Sequence, residues 1–168
     1  MSAANIIYNT ARNAGFPDLL SRLLVAQAQH ETGNFTSNFF KRYNNAFGYS
    51  YVRGGKWQLA TPGTVADNGQ PIAAYKNVEN STMEVVEWIK RRVQEGKFPA
   101  LDKIDSPQVY AELLRNAGYY TDTLDNYRRG LVSFFNAGVN FATSTEGKIL
   151  VTTFIIAGVL YYIYTDNK

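Results

Sequence analysis

Residues 18–33 read DLLSRLLVAQAQHETG, and the reading of this stretch decides the fold. Asp18 is a helix-capping residue type, the run after it holds neither Gly nor Pro, and Gly33 is the usual residue to end a helix by entering left-handed backbone. The pattern predicts one helix opening at Asp18 and stopping at Gly33. Its last turn carries a carboxylate, Glu31, one residue beyond the chain's single histidine, His30.

Outward from this helix the pattern stays mostly helical. Residues 3–13 form a first helix. Ser81-Thr82-Met83-Glu84 reads as a capping box, with Met83, Val86, Ile89 and Val93 then lining one face. Ser106-Pro107 is an N-cap followed by Pro at the first helical position, with Tyr110, Leu113, Leu114 and Ala117 at helical spacing before Gly118. Asp122 opens a further helix that turns Leu124, Tyr127, Leu131 and Phe134 inward. Between these, FGYSYVRGGKWQLA (47–60) alternates aromatic and branched residues about Gly54-Gly55 and reads as a β-hairpin. The expected class is mainly α: several short helices around one small β-hairpin.

The chain's 168 residues are enough for one domain with a proper core and too few for two comfortable ones. Aromatics at 14 % suit a sugar-stacking cleft and a packed core equally. The absence of cysteine removes disulfides, thiol nucleophiles and Cys-based zinc sites, and a single histidine argues against a His-built metal site. No metal and no cofactor are expected. The net charge of +3 is too small and too evenly spread for a nucleic-acid footprint, although it favours approach to an anionic wall polymer. The one dense basic run, Lys90-Arg91-Arg92, complements a helix C-terminus.

The two ends differ. Met1-Ser2-Ala3-Ala4-Asn5 lacks the basic and apolar regions of a secretory signal. Residues 149–164 read ILVTTFIIAGVLYYIY without a charge, after Lys148 and before Asp166-Asn167-Lys168. A helix of about 17 residues rises roughly 25 Å, the short end of what crosses a bilayer core. Tyr161, Tyr162 and Tyr164 suit the headgroup interface. The expected organisation is a folded domain over 1–141, a linker over 142–148 and a transmembrane helix over 149–165. A buried C-terminal core helix is the competing reading.

Glu31 carries the chemistry. The partial negative charge at a helix C-terminus disfavours a carboxylate, and the neighbours Ala28, Phe35, Phe39 and Phe40 supply apolar surroundings that do the same. An acid that keeps its proton near neutral pH can protonate the oxygen of a glycosidic leaving group. Gln27, one turn earlier on the same face, is placed to orient it. Set against this, most glutamates at helix ends are simply solvated.

Four blocks stand in order along the chain: AQAQHETGNF (26–35), NNAFGY (44–49), IAAYKNVENS (72–81) and AGYYTDTLDNY (117–127). Together they resemble the glucosaminidase family of bacterial and phage cell-wall hydrolases, glycoside hydrolase family 73. That family's signatures read like QAxxESG, NNxFG, a Tyr followed by polar residues leading into a helix, and GYATDxxY. The resemblance covers roughly residues 3–136 and implies a lysozyme-like α+β domain that cleaves β-1,4 bonds of peptidoglycan. It implies Glu31 as the catalytic acid, with Tyr119 implicated in catalysis. Gln27, Asn44, Asn45, Phe47, Tyr75 and Asp122 then shape the cleft and bind substrate. Tyr120 stands where the family has Ala, and His30 and Thr32 replace more usual neighbours.

A second carboxylate is not chosen by the sequence. Asp67, Glu79 and Asp122 are candidates, and a single-acid route, in which the substrate's own 2-acetamido group attacks the anomeric carbon, is preferred. His30 points about 100° away from Glu31 on the helix and is read as lying behind the site or at the surface. The expected function is an N-acetylglucosaminidase-type peptidoglycan glycosidase. The alternatives are a lytic transglycosylase releasing 1,6-anhydro ends and a non-enzymatic wall-binding component. Peptidoglycan strands, a lipid membrane through 149–165 and virion or envelope proteins are the expected partners. The absence of a signal peptide beside a C-terminal anchor suits the membrane of a phage particle, or alternatively a bacterial envelope.

Overall fold

The computed structural model describes residues 1–66 and 69–143. Met1–Phe135 form one compact unit that holds the core, and a second unit begins at Asn136. The described helices are α1 (Ala3–Asn13), α2 (Asp18–Thr32), α3 (Asn38–Tyr43), α4 (Val78–Gln94), α5 (Pro107–Asn116) and α6 (Leu124–Thr143). Two short strands, β1 (Thr64–Val65) and β2 (Pro71–Ile72), pair antiparallel with Thr64 opposite Ile72. The mainly helical class with a small antiparallel sheet is as expected.

The helix at 18–33 is the central one. It buries Leu20, Ser21, Leu23, Leu24, Ala26, Gln27, Ala28 and Thr32, more of its circumference than one face could supply. Around it pack Ile7 and Ala11 of α1, Val85, Val86 and Ile89 of α4, Tyr110 and Leu114 of α5, and Tyr127 and Leu131 of α6. Gly33 ends the helix in left-handed backbone at φ 55°, as the sequence predicts. Its start differs from expectation. Pro17 occupies the cap position and Asp18 lies inside the first turn, without a side-chain capping bond. Asp18 accepts instead from the Tyr8 hydroxyl at 2.5 Å and pairs with Arg22 at 2.9 Å, so its charge still faces the positive helix end.

The capping box also moves. Asn77 caps α4 by accepting from the Asn80 N–H at 2.9 Å, four residues before the expected cap. Ser81 is fully buried one turn into the helix, where its hydroxyl accepts the Ala46 N–H at 3.1 Å. A buried backbone donor on the neighbouring loop claims the side chain that the motif assigned to the helix's own N-terminus. Ser106 caps α5 as predicted, accepting from the Val109 N–H at 3.3 Å.

The β-hairpin is displaced in the same way. Segment 47–60 forms only isolated bridges, Ser50 with Ile72 and Gln58 with Tyr75, and the paired strands lie at 64–72. Gln58 explains the difference. Its side chain accepts the Val52 N–H at 2.8 Å and donates to the Ser50 carbonyl at 3.2 Å and to Glu84 at 2.7 Å. One amide therefore satisfies the backbone groups that a ladder would otherwise pair, and ties the loop to α4.

No described helix is long and apolar enough to cross a membrane. The expected span at 149–165 and the expected linker from residue 144 onward lie outside the described residues, as does Asp67.

Candidate functional site

The last turn of α2 delivers Glu31 to a cavity of about 360 Å³. Around it stand Phe47, Gly48, Tyr49, Ser50 and Val52 from the loop after α3, Trp88 and Arg92 from α4, and Ala117 to Tyr120 from the segment after α5. Gly48 passes beside the acid. At φ 67° it occupies backbone that side chains avoid, and a Cβ there would lie 3.5 Å from Glu31 Oε2. The walls are aromatic. Tyr119 meets Tyr49 edge to face at 5.8 Å between ring centroids and Trp88 at 5.5 Å. Tyr120 stacks flat on Tyr127 at 3.7 Å.

Burial pushes the Glu31 carboxyl up to about 7, against 4.5 in the unfolded chain, while a hydrogen bond from the Tyr127 hydroxyl to Oε1, 2.7 Å long, pulls it back. A carboxyl titrating there is half protonated at neutral pH and exchanges a proton with little driving force either way, the condition for general acid catalysis. The expected elevation is present, and its leading cause is desolvation.

The orienting partner is Tyr127 rather than Gln27. Gln27 is fully buried a turn below, where its Oε1 accepts the Tyr110 hydroxyl at 2.7 Å. Tyr127 closes the block at 117–127, but the sequence shows it only as an inward residue of α6. Nothing in a linear pattern places its hydroxyl on a helix end 96 residues earlier.

Several other expected substrate contacts are occupied with holding the fold. Asn45 is buried; its amide nitrogen donates to the carbonyls of Tyr49 at 2.8 Å and Ala73 at 3.0 Å, and its oxygen accepts the Tyr49 N–H at 3.1 Å. Asn44 ends α3 at φ 52° and donates to the Tyr75 carbonyl at 3.1 Å. The Phe47 ring is buried in the core, and its carbonyl accepts the Tyr119 hydroxyl. Tyr75 is buried, and its hydroxyl, pushed up by desolvation with Glu84 adding to the effect, stays protonated. Asp122 is exposed and accepts the Thr123 N–H at 2.6 Å and the Asn126 amide at 3.3 Å, a local helix-start arrangement. Of the residues singled out from sequence, the cavity brings together Glu31, Phe47 and Tyr119. Tyr49, Trp88 and Arg92, to which sequence reading gives no role in the site, line the same cavity. Burial also keeps the Tyr119 phenol protonated, with the Glu31 charge acting in the same direction.

Among the described residues that line the cavity, Glu31 is the one carboxylate. Glu79 is exposed in the first turn of α4. The described residues hold no cluster of three or more His, Cys, Asp or Glu able to bind a metal ion.

Residues 7–137 match the family model for glucosaminidase, described as mannosyl-glycoprotein endo-beta-N-acetylglucosaminidase. Among solved structures, the fold is similar to a chain in a type VI secretion system effector–immunity complex from Pseudomonas protegens. The TM-score is 0.56 at 15 % identity, covering 77 % of this chain and 84 % of that one. No curated protein matches the sequence.

Proposed function

Because the chain belongs to the glucosaminidase family of glycoside hydrolases, we propose that it cleaves β-1,4 bonds of peptidoglycan on the reducing side of N-acetylglucosamine, with Glu31 as the acid. The observation that carries this reading is a carboxyl titrating at about 7 on the floor of an aromatic cavity whose described lining holds no second acid. A route with two carboxylates needs a partner within about 5–9.5 Å of the first. The described lining suits a route with one.

In that route Glu31 donates its proton to the glycosidic oxygen as the bond to the anomeric carbon breaks. The carbonyl oxygen of the sugar's own 2-acetamido group attacks that carbon and forms a cyclic oxazolinium. Glu31, now a carboxylate, takes a proton from the water that opens the ring, and the anomeric configuration is retained. The Tyr119 hydroxyl donates a hydrogen bond to the Phe47 carbonyl and keeps acceptor lone pairs on its oxygen. We assign it to supporting the positive charge that develops on the sugar. Tyr49, Trp88 and Tyr120 supply flat apolar surface for sugar faces. Beyond the described residues, the uncharged run at 149–164 supports anchorage in a membrane. The setting we propose is the membrane of a phage particle that opens a host wall.

Mass spectrometry of fragments released from purified peptidoglycan tests the reaction. The expected products carry reducing N-acetylglucosamine ends. Reducing N-acetylmuramic acid ends, or 1,6-anhydro ends, would overturn the proposed bond or the hydrolytic route respectively.

A further inference from the structure

Helix α6 carries glycine at position 130, inside its regular hydrogen-bonded length, where glycine is unfavourable. Space explains the choice. A Cβ at Gly130 would lie 2.3 Å from His30 Cε1 and 2.4 Å from Nδ1, far inside contact distance. The imidazole of α2 is therefore seated against the bare backbone of α6. Tyr127 lies one turn before Gly130 and Phe134 one turn after, on the same face. Both rings border the histidine, Tyr127 edge to face with centroids 4.8 Å apart and Phe134 at 6.5 Å. Tyr127 thus touches two consecutive residues of α2, His30 through its ring and Glu31 through its hydroxyl.

We infer that the His30–Gly130 contact is a positioning device: the imidazole sets how closely α6 docks on α2, and so sets the reach of Tyr127 to Glu31. The hydrogen bond from Tyr127 favours the ionised acid and burial favours the protonated one, so a change in how α6 docks displaces the Glu31 titration. The other groups facing Glu31 are the phenols of Tyr110 and Tyr119, with Arg92 lining the same cavity from α4. Those facing His30 are Tyr127, Phe134 and, through its charge, Asp122.

The inference rests on Glu31 as the acid, and its test reads the carboxyl directly. In the full chain, carbon-13 NMR titration of Glu31 is compared among the native protein, Gly130→Ala and the double variant His30→Ala/Gly130→Ala, beside the basic limb of the kcat/KM profile. Gly130→Ala is expected to displace both by about half a pH unit or more. The double variant, which removes the ring that the new methyl meets, is expected to return them toward native. A folded Gly130→Ala with a native titration overturns the inference, as does a double variant that restores nothing. Should Gly130→Ala fail to fold, folded His30→Ala decides: a displaced Glu31 titration supports the device and a native one overturns it. A displaced titration in a protein whose native form digests no wall would count against the proposed function alone.

Discussion

At the scale of the residue, Glu31 couples function to stability with opposite signs. Its carboxyl is raised from 4.5 in the unfolded chain to about 7 in the fold. The folded state therefore binds more protons than the unfolded state between those values, and stability falls as pH rises through that window. The contribution of this one group is fully present below about 4.5 and is lost as pH rises through about 7. Glu31→Gln removes the ionisation and is expected to be more stable than the native protein at pH 8 by about 1–3 kcal/mol, with little difference at pH 4. Thermal unfolding at the two pH values checks it, and an equal difference at both would show that burial does not raise this carboxyl. Asn45 is the contrasting residue. Its three hydrogen bonds all hold backbone, so Asn45→Ala is expected to cost about 2–4 kcal/mol in denaturant unfolding. A direct sugar contact would instead show as a raised KM in a protein of native stability.

At the scale of the element, the legible features were those set by local chemistry. Gly33 stops α2 and Ser106 caps α5 because the left-handed cap and the side-chain cap are decided within a few residues. The misplaced features were those in which a distant group won a local side chain. Ser81 serves the loop at Ala46 instead of its own helix end, and Gln58 replaces a strand partner for Ser50 and Val52. The same competition hid the acid's neighbour. Gln27 shares a helix face with Glu31, yet Tyr110 takes its carbonyl oxygen and Tyr127 arrives from α6 to hold the acid. Glycine at 130 reads as a flaw in a helix until the imidazole opposite it is seen. The expected effect of filling that space, a displaced Glu31 titration that shrinking His30 reverses, belongs to the pairing of α2 with α6 rather than to either helix alone.

At the scale of the whole molecule, four short blocks spread from residue 26 to residue 127 were enough to indicate the family, and the family match spans 7–137. Their shared purpose is clearer in space than in sequence. The first block supplies the acid, the second the loop that passes under it at Gly48, and the fourth the aromatic wall and the tyrosine that holds the acid. The third lies behind the cavity, where the Tyr75 and Ala73 carbonyls accept from Asn44 and Asn45. Much of what the blocks hold in common is therefore scaffold for one carboxyl. That makes the acid itself the decisive point. Digestion of purified peptidoglycan by the full chain, followed by quantifying new reducing ends, compares the native protein with Glu31→Gln at pH 6. The native protein is expected to release fragments, and the variant to lose activity by about a hundredfold to ten-thousandfold while keeping its circular dichroism spectrum. Native-level release by a folded Glu31→Gln would contradict the account.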